Sequence, residues 1–216
     1  MSTIPGTTSA EQIEPPSGAQ TAGGADTLTL ARRLTWLTFA LCLVVTGAVA
    51  VYEFAGLPSA ALVGSAGLLA VIGWQAAETK RIRVPAAFIA LYLLLAMSLL
   101  VQHAEEFAFR GAGTGTWFSV SGFAVYSIGA AALFMLGASA LSVRHPLGAW
   151  AAWLVCIWAV LQSLAHYLYP LFASGRYVYI PGQALAWIPL LIGLYGLLRL
   201  MSPASRLFRK GGDRHD

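Results

Sequence analysis

Charge is what this 216-residue sequence has least of: 10% of its residues are Asp, Glu, Lys or Arg, against 58% from the apolar set. Soluble domains carry about a quarter of their residues as charge. A soluble core of 22.9 kDa could not enclose this much apolar surface, whereas a bilayer asks for it. Cysteine is almost missing too. Cys42 and Cys156 are the only two, both inside apolar runs, which excludes a disulfide scaffold and leaves them as small packing residues. The alternating polar and apolar pattern of a transmembrane barrel is also lacking. The pI of 9.3 does not point to nucleic acid, because the cations sit between apolar segments rather than in a patch. What is left is an all-α, polytopic membrane protein.

Six apolar runs approach the ~20 residues that a helix needs to cross the hydrocarbon. They are Leu34–Glu53, Pro58–Ala77, Pro85–Gln102, Trp117–Ser142, Leu147–Leu168 and Ile180–Leu200. Pro58, Pro85, Pro146 and Pro181 stand at or near span starts, where a missing N–H costs little. Pro189 falls inside the last run and is expected to kink it. Residues 1–30 are rich in Gly, Pro, Ser, Thr and Ala and read as a disordered tail. The spans occupy 31–201, and 202–216 form a basic tail suited first to fixing topology and second to touching anionic lipid. The apolar run at Leu34 lies too far in for a cleaved signal peptide, so the first span is expected to be an uncleaved anchor.

The cations set an orientation. With the N-terminus inside, all 13 Lys and Arg except Arg110 and Arg176 face the cytoplasm. Six spans then place both termini in the cytoplasm, in a plasma (inner) membrane. Trp117, Tyr167, Tyr169, Tyr177 and Tyr179 gather at the outer interface as an aromatic belt. GAGTGT at 111–116 lacks the Lys and preceding strand of a phosphate loop and reads as an outer turn.

Acidic residues are scarce enough for their positions to matter. Most lie in tails or at span ends. Glu105 and Glu106 are adjacent in VQHAEEFAFRG, with His103 and Arg110 alongside. On a helix His103, Glu106 and Arg110 share a face at i, i+3 and i+7, and Glu105 points a quarter turn away. The topology brings His166, at the outer end of the fifth span, to the same depth, and leaves His145 a membrane thickness away. Two histidines and two carboxylates can therefore converge near the outer leaflet. His103, Glu106 and His166 are the candidate ligands for a divalent metal such as zinc, and Glu105 and Glu106 the candidate catalytic carboxylates. Gln162, Tyr179 and Arg110 stand in support. The bland alternative is a structural ion pair with snorkelling side chains, weighed against the cost of ionisable groups in a membrane.

Two family resemblances meet on these residues. HAEEFAFRG (103–111), QSLAH (162–166) and YVYIPGQALAWIPLLIGLY (177–195) resemble in order and spacing the motifs of the HXXEE-domain membrane proteins, over residues 100–198. The histidine here precedes Glu105 by two positions rather than three, and Gln162 stands in place of Asn. That resemblance implies a conserved enzyme-like site without a defined reaction. Glu105, Glu106 and Arg110 are also similar to the Glu-Glu-x-x-x-Arg motif of the CPBP (CAAX-protease-like) intramembrane peptidases. In that family a glutamate activates water and later histidines complete the site. The remaining two motifs of that family are not matched at LSVRH (141–145) and HYLYP (166–170).

The expected function is a membrane-embedded enzyme acting on a lipid or other apolar substrate. The competing reading is a non-catalytic assembly or accessory subunit whose polar cluster ties helices together. A transporter ranks third, for want of broken-helix pairs or an inverted repeat.

Overall fold

A computed structural model describes residues 19–79, 84–85, 87–109, 120–177 and 179–202, and every regular element among them is a helix. They are α1 (Ala19–Thr79), α2 (Phe88–Ala108), α3 (Val120–Ser142), α4 (Pro146–Ser174) and α5 (Trp187–Met201). Five stretches are long and apolar enough to cross a membrane: Thr29–Glu53 and Ala55–Glu78 within α1, then Phe88–Ala108, Gly122–Ser142 and Pro146–Phe172. Trp187–Met201 is a shorter apolar helix. The chain is a multi-pass helical membrane protein.

It divides into two units, one ending at Thr35 and the other starting at Trp36. In the first, helix runs from Ala19, where the sequence suggests a tail to residue 30. Once a span has nucleated, each added residue gains a hydrogen bond for one fixed pair of dihedrals, so the helix extends back through an Ala-containing stretch. Thr35 Oγ1 donates to the Ala31 carbonyl at 2.9 Å.

In the second unit α1 breaks where the sequence places a span boundary. Gly56 has φ 74° and ψ −177°, a conformation outside the helical region, and Pro58 follows in the first turn of the next stretch. The final span departs from expectation. Residues 181–186 are turns and helix begins only at Trp187, giving 15 residues, or about 22 Å of helix. The cause is the Ile180-Pro181-Gly182-Gln183 turn, with proline second, Gly182 at φ 86° third, and Gln183 N–H donating to the Ile180 carbonyl at 3.2 Å. Pro then Gly in those places is the pattern of a type II turn, which a helix cannot absorb. Pro189 consequently falls in the first turn of α5, where its missing N–H would have no helical partner, and produces no interior kink.

α4 lies at the centre, packing on α2, α3 and α5. Trp150, Trp153 and Cys156 on α4 are buried together with Trp74 of α1 and Tyr92, Leu95 and Leu99 of α2. Gly193 and Gly196 of α5 lie directly on Ala159 and Cys156, a close approach that small residues permit. Cys42 is exposed and both cysteines are free.

His145 caps α4. Its backbone is extended, Pro146 follows at the first helical position, and Nδ1 accepts from the Leu147 N–H at 3.3 Å. The ring also meets Trp36 edge-on, with centroids 4.5 Å apart. It stands about 31 Å along α4 from His166 at 1.5 Å per residue. His145→Ala should therefore cost about 1 kcal/mol of stability, the usual loss for a cap, and leave chemistry at the other end of the helix unchanged. Thermal unfolding in detergent checks the first part.

Candidate functional site

The last two turns of α2, the C-terminal third of α4 and the segment from Tyr179 to Ala186 meet at one end of the bundle. On α2 the 100° step per residue turns Gln102, His103 and Glu106 toward α4 and swings Glu105 toward the segment before α5. Gln102, His103, Gln162 and His166 are all buried.

The contacts between α2 and α4 are reciprocal: each helix offers a glutamine to the other's histidine. Gln162 Nε2 lies 2.9 Å from His103 Nε2, and Gln102 Nε2 lies 3.4 Å from His166 Nδ1. With the amide nitrogen turned to the ring, Gln162 donates and His103 accepts at Nε2. His166 is fixed differently. Its Nδ1 is 2.9 Å from the Gln162 backbone carbonyl, which can only accept, so Nδ1 carries the proton. The Gln102 amide meets that N–H best with its oxygen turned toward the ring. His166 Nε2 is then left facing Glu106 Oε2 at 3.8 Å, too far for a hydrogen bond but close enough for electrostatic pairing.

The two adjacent glutamates have separate surroundings. Glu105 Oε1 accepts from the Tyr179 hydroxyl at 2.8 Å, and Oε2 accepts from the Leu185 N–H at 3.0 Å. Both oxygens are spent on the segment leading into α5. The bond to Glu105 raises the Tyr179 pKa above its ordinary 10.0, with burial adding to the effect. Glu106 is half-buried and faces a cavity of about 80 Å³. Val51 and Leu62 of α1, Trp158 of α4 and Ile180 give that cavity apolar walls, and Glu106 and His166, with Ser59, Tyr126 and Gln162, supply its polar edge. It has room for a few waters or the reacting end of a larger molecule.

The segment before α5 closes over this pair. Gly182 backs directly onto the imidazole: a Cβ there would stand 2.9 Å from His166 Nε2. Gln183 is buried with all its polar groups engaged. Its Nε2 donates to the His166 carbonyl at 3.1 Å, and its Oε1 accepts from the Ile180 N–H at 3.2 Å. Its carbonyl accepts from the Tyr167 hydroxyl at 3.1 Å.

Of the expected site residues, His103, Glu105, Glu106, Gln162, His166 and Tyr179 thus lie in one connected cluster. Arg110 and Trp117 lie outside the described residues, as does the 111–116 turn. Arg176 and Tyr177 are exposed. The expected metal set of His103, Glu106 and His166 is not assembled. Among the described residues no three His, Cys, Asp or Glu side chains are placed to hold an ion. His103 presents Nε2 to the Gln162 amide instead. Two facing groups do not make a zinc site, which needs at least three protein ligands.

Sequence reasoning missed Gln102, Gly182 and Gln183. One signal for the last was present. Pro170, four residues after His166 in a helical run, leaves the His166 carbonyl without its helical donor, so a side-chain donor was called for.

Fold and site together define a polytopic helical membrane protein in which two histidines and two glutamates gather at one end of the bundle beside a mainly apolar cavity. Compared with protein-family models, with curated proteins and with solved structures, the chain matches none.

Proposed function

We propose that this chain is a membrane-embedded enzyme performing acid–base chemistry on a lipid or other apolar substrate, with Glu106 and His166 as its proton-handling groups. One observation carries the reading. These two side chains face each other at 3.8 Å on the edge of an apolar cavity, while the neighbouring Glu105 is wholly engaged elsewhere. Glu106 would act as general base. His166 would take up or return the proton at Nε2, its tautomer held by the Nδ1–H bond to the Gln162 carbonyl. The apolar part of the substrate would lie against Val51, Leu62 and Trp158. With the cation distribution, this reading puts the site near the outer leaflet of a plasma (inner) membrane with both termini cytoplasmic. The HXXEE resemblance accords with it. The CPBP resemblance would make the substrate a membrane peptide and shares the glutamate base.

A second reading has its own support: the reciprocal Gln–His contacts and the two bonds of Glu105 tie α2 to α4 and to the segment before α5, as polar glue would in a non-catalytic accessory subunit.

Glu106→Gln separates the two. Lipid extracts of membranes containing no chain, wild type, Glu106→Gln or His166→Ala are compared by untargeted mass spectrometry, with protein levels matched. The enzyme reading expects wild type to change at least one apolar species and both variants to resemble the empty membrane. A Glu106→Gln profile equal to that of wild type removes Glu106 as the base.

A further inference from the structure

We infer that Gln183 is a positioning residue for His166, supplying from outside the helix the hydrogen-bond donor that Pro170 takes away. Helix α4 runs through Pro170 without interruption to Ser174. In a regular helix the N–H of residue 170 would donate to the carbonyl of residue 166, and proline has no N–H. The His166 carbonyl is in a buried residue. Leaving it unpaired would incur the desolvation cost of a buried carbonyl and would loosen the turn that carries the imidazole. Gln183 Nε2 donates to that carbonyl at 3.1 Å.

The rest of Gln183 is built to hold that amide still. Its Oε1 and its backbone N–H close the Ile180–Gln183 turn from both sides, at 3.2 Å each. Its carbonyl takes the hydroxyl of Tyr167, the residue after His166 in the chain. The turn that fixes Gln183 also sets Gly182 against the His166 ring. One short segment therefore repairs the helix under His166 and buttresses the imidazole above it. Proline here releases a carbonyl for recognition by a distant residue, and the helix is locked to the segment before α5 at the position where the ring must point at Glu106. Gln183 touches neither the cavity nor the carboxylate, so it acts through His166 and through the turn it closes. Its consequence for turnover rests on the acid–base reading above; its effect on His166 does not.

The test is a double-mutant cycle in the full chain, read without substrate. Pro170→Ala returns a backbone N–H to the His166 carbonyl and makes the Gln183 Nε2 donor, though not its Oε1 bond to the Ile180 N–H, dispensable. Gln183→Leu alone should lower the midpoint of thermal unfolding by roughly 5 °C and shift or broaden the His166 imidazole signals in ¹⁵N-histidine NMR. In the Pro170→Ala background the same substitution should leave the His166 signals in place and lower the midpoint by clearly less, the remainder being the lost bond to the Ile180 N–H. Equal losses in both backgrounds, or an unchanged His166 signal in Gln183→Leu, overturn the inference. Should Gln183→Leu fail to accumulate, the double variant decides: recovery of folded protein with a wild-type His166 signal supports the pairing, and continued failure refutes it. Because these readouts need no turnover, they stand or fall apart from the lipid comparison of Glu106→Gln.

Discussion

Replacing Glu105 by alanine should destabilise the protein far more than replacing Glu106, although the two are neighbours and carry the same charge. Glu105→Ala removes the acceptor for the Tyr179 hydroxyl and for the Leu185 N–H together. Hydrogen bonds to a charged group are worth about 1.5–3 kcal/mol each. Tyr179 is half-exposed and can turn to water, so its share is the smaller. A combined loss of about 3 kcal/mol is expected, read as a fall of roughly 5–10 °C in unfolding midpoint and as new protease cleavage between residues 176 and 186. Glu105→Gln keeps one good acceptor and should fall between. Glu106 accepts no hydrogen bond as near as these, and Glu106→Gln should stay within about 0.5 kcal/mol of wild type.

The Tyr179 bond adds a pH dependence to this prediction. The phenol must be protonated to donate, and its folded pKa is raised above 10.0. Its stabilisation is therefore complete below pH 10.0 and is lost as pH climbs through the raised value. The alkaline loss of stability should be visible in wild type and absent in Tyr179→Phe. If Glu105→Ala instead unfolds no earlier than Glu106→Gln, the division of labour between the two glutamates is wrong.

That division shows how far the sequence could be read. The spans were legible because long apolar runs have one stable answer in lipid: Leu34–Glu53 and Pro58–Ala77 correspond to the two halves of α1 on either side of Gly56. The quarter-turn offset of Glu105 from His103 and Glu106 was legible for the same reason, since helical periodicity is local. Where Glu105 points was not, because its partners lie far along the chain at Tyr179 and Leu185, and no local rule pairs them. The last span was misjudged at its start because Ile180-Pro181-Gly182-Gln183 is apolar enough to extend the run, while its turn chemistry ends it. The ligand set of His103, Glu106 and His166 was plausible by depth alone. Depth says nothing about which way a ring faces, and Gln162 decides that for His103. The tail was overextended because composition predicts weak helix where the neighbouring span in fact propagates. The errors over Glu105 and His103 fall where one residue's state is set by another remote in sequence, whereas those at the last span and the tail fall where local backbone chemistry outweighs the apolar pattern.

Gly182 offers the sharpest measure of how closely the segment before α5 is fitted to His166, because a second glycine serves as its control. Gly175 has φ 67° and Gly182 has φ 86°, so an alanine at either must adopt a left-handed conformation costing about 1–2 kcal/mol. Around Gly175 nothing lies within 4 Å of the added methyl. At Gly182 the methyl would come to 2.9 Å from His166 Nε2 and 3.1 Å from Cδ2, inside van der Waals contact, and to 3.5 Å from the Glu106 Cβ. The imidazole cannot swing away freely, since its Nδ1–H is held by the Gln162 carbonyl. Gly175→Ala should therefore lose about 1 kcal/mol and keep the His166 imidazole signals in place. Gly182→Ala should lose about 2–4 kcal/mol, and its His166 signals should shift as the ring is driven from Glu106. The excess of the second over the first isolates the contact from the backbone strain they share. Equal losses, with His166 undisturbed in both, would mean that Gly182 is needed only for its turn and that the segment does not bear on the histidine at all.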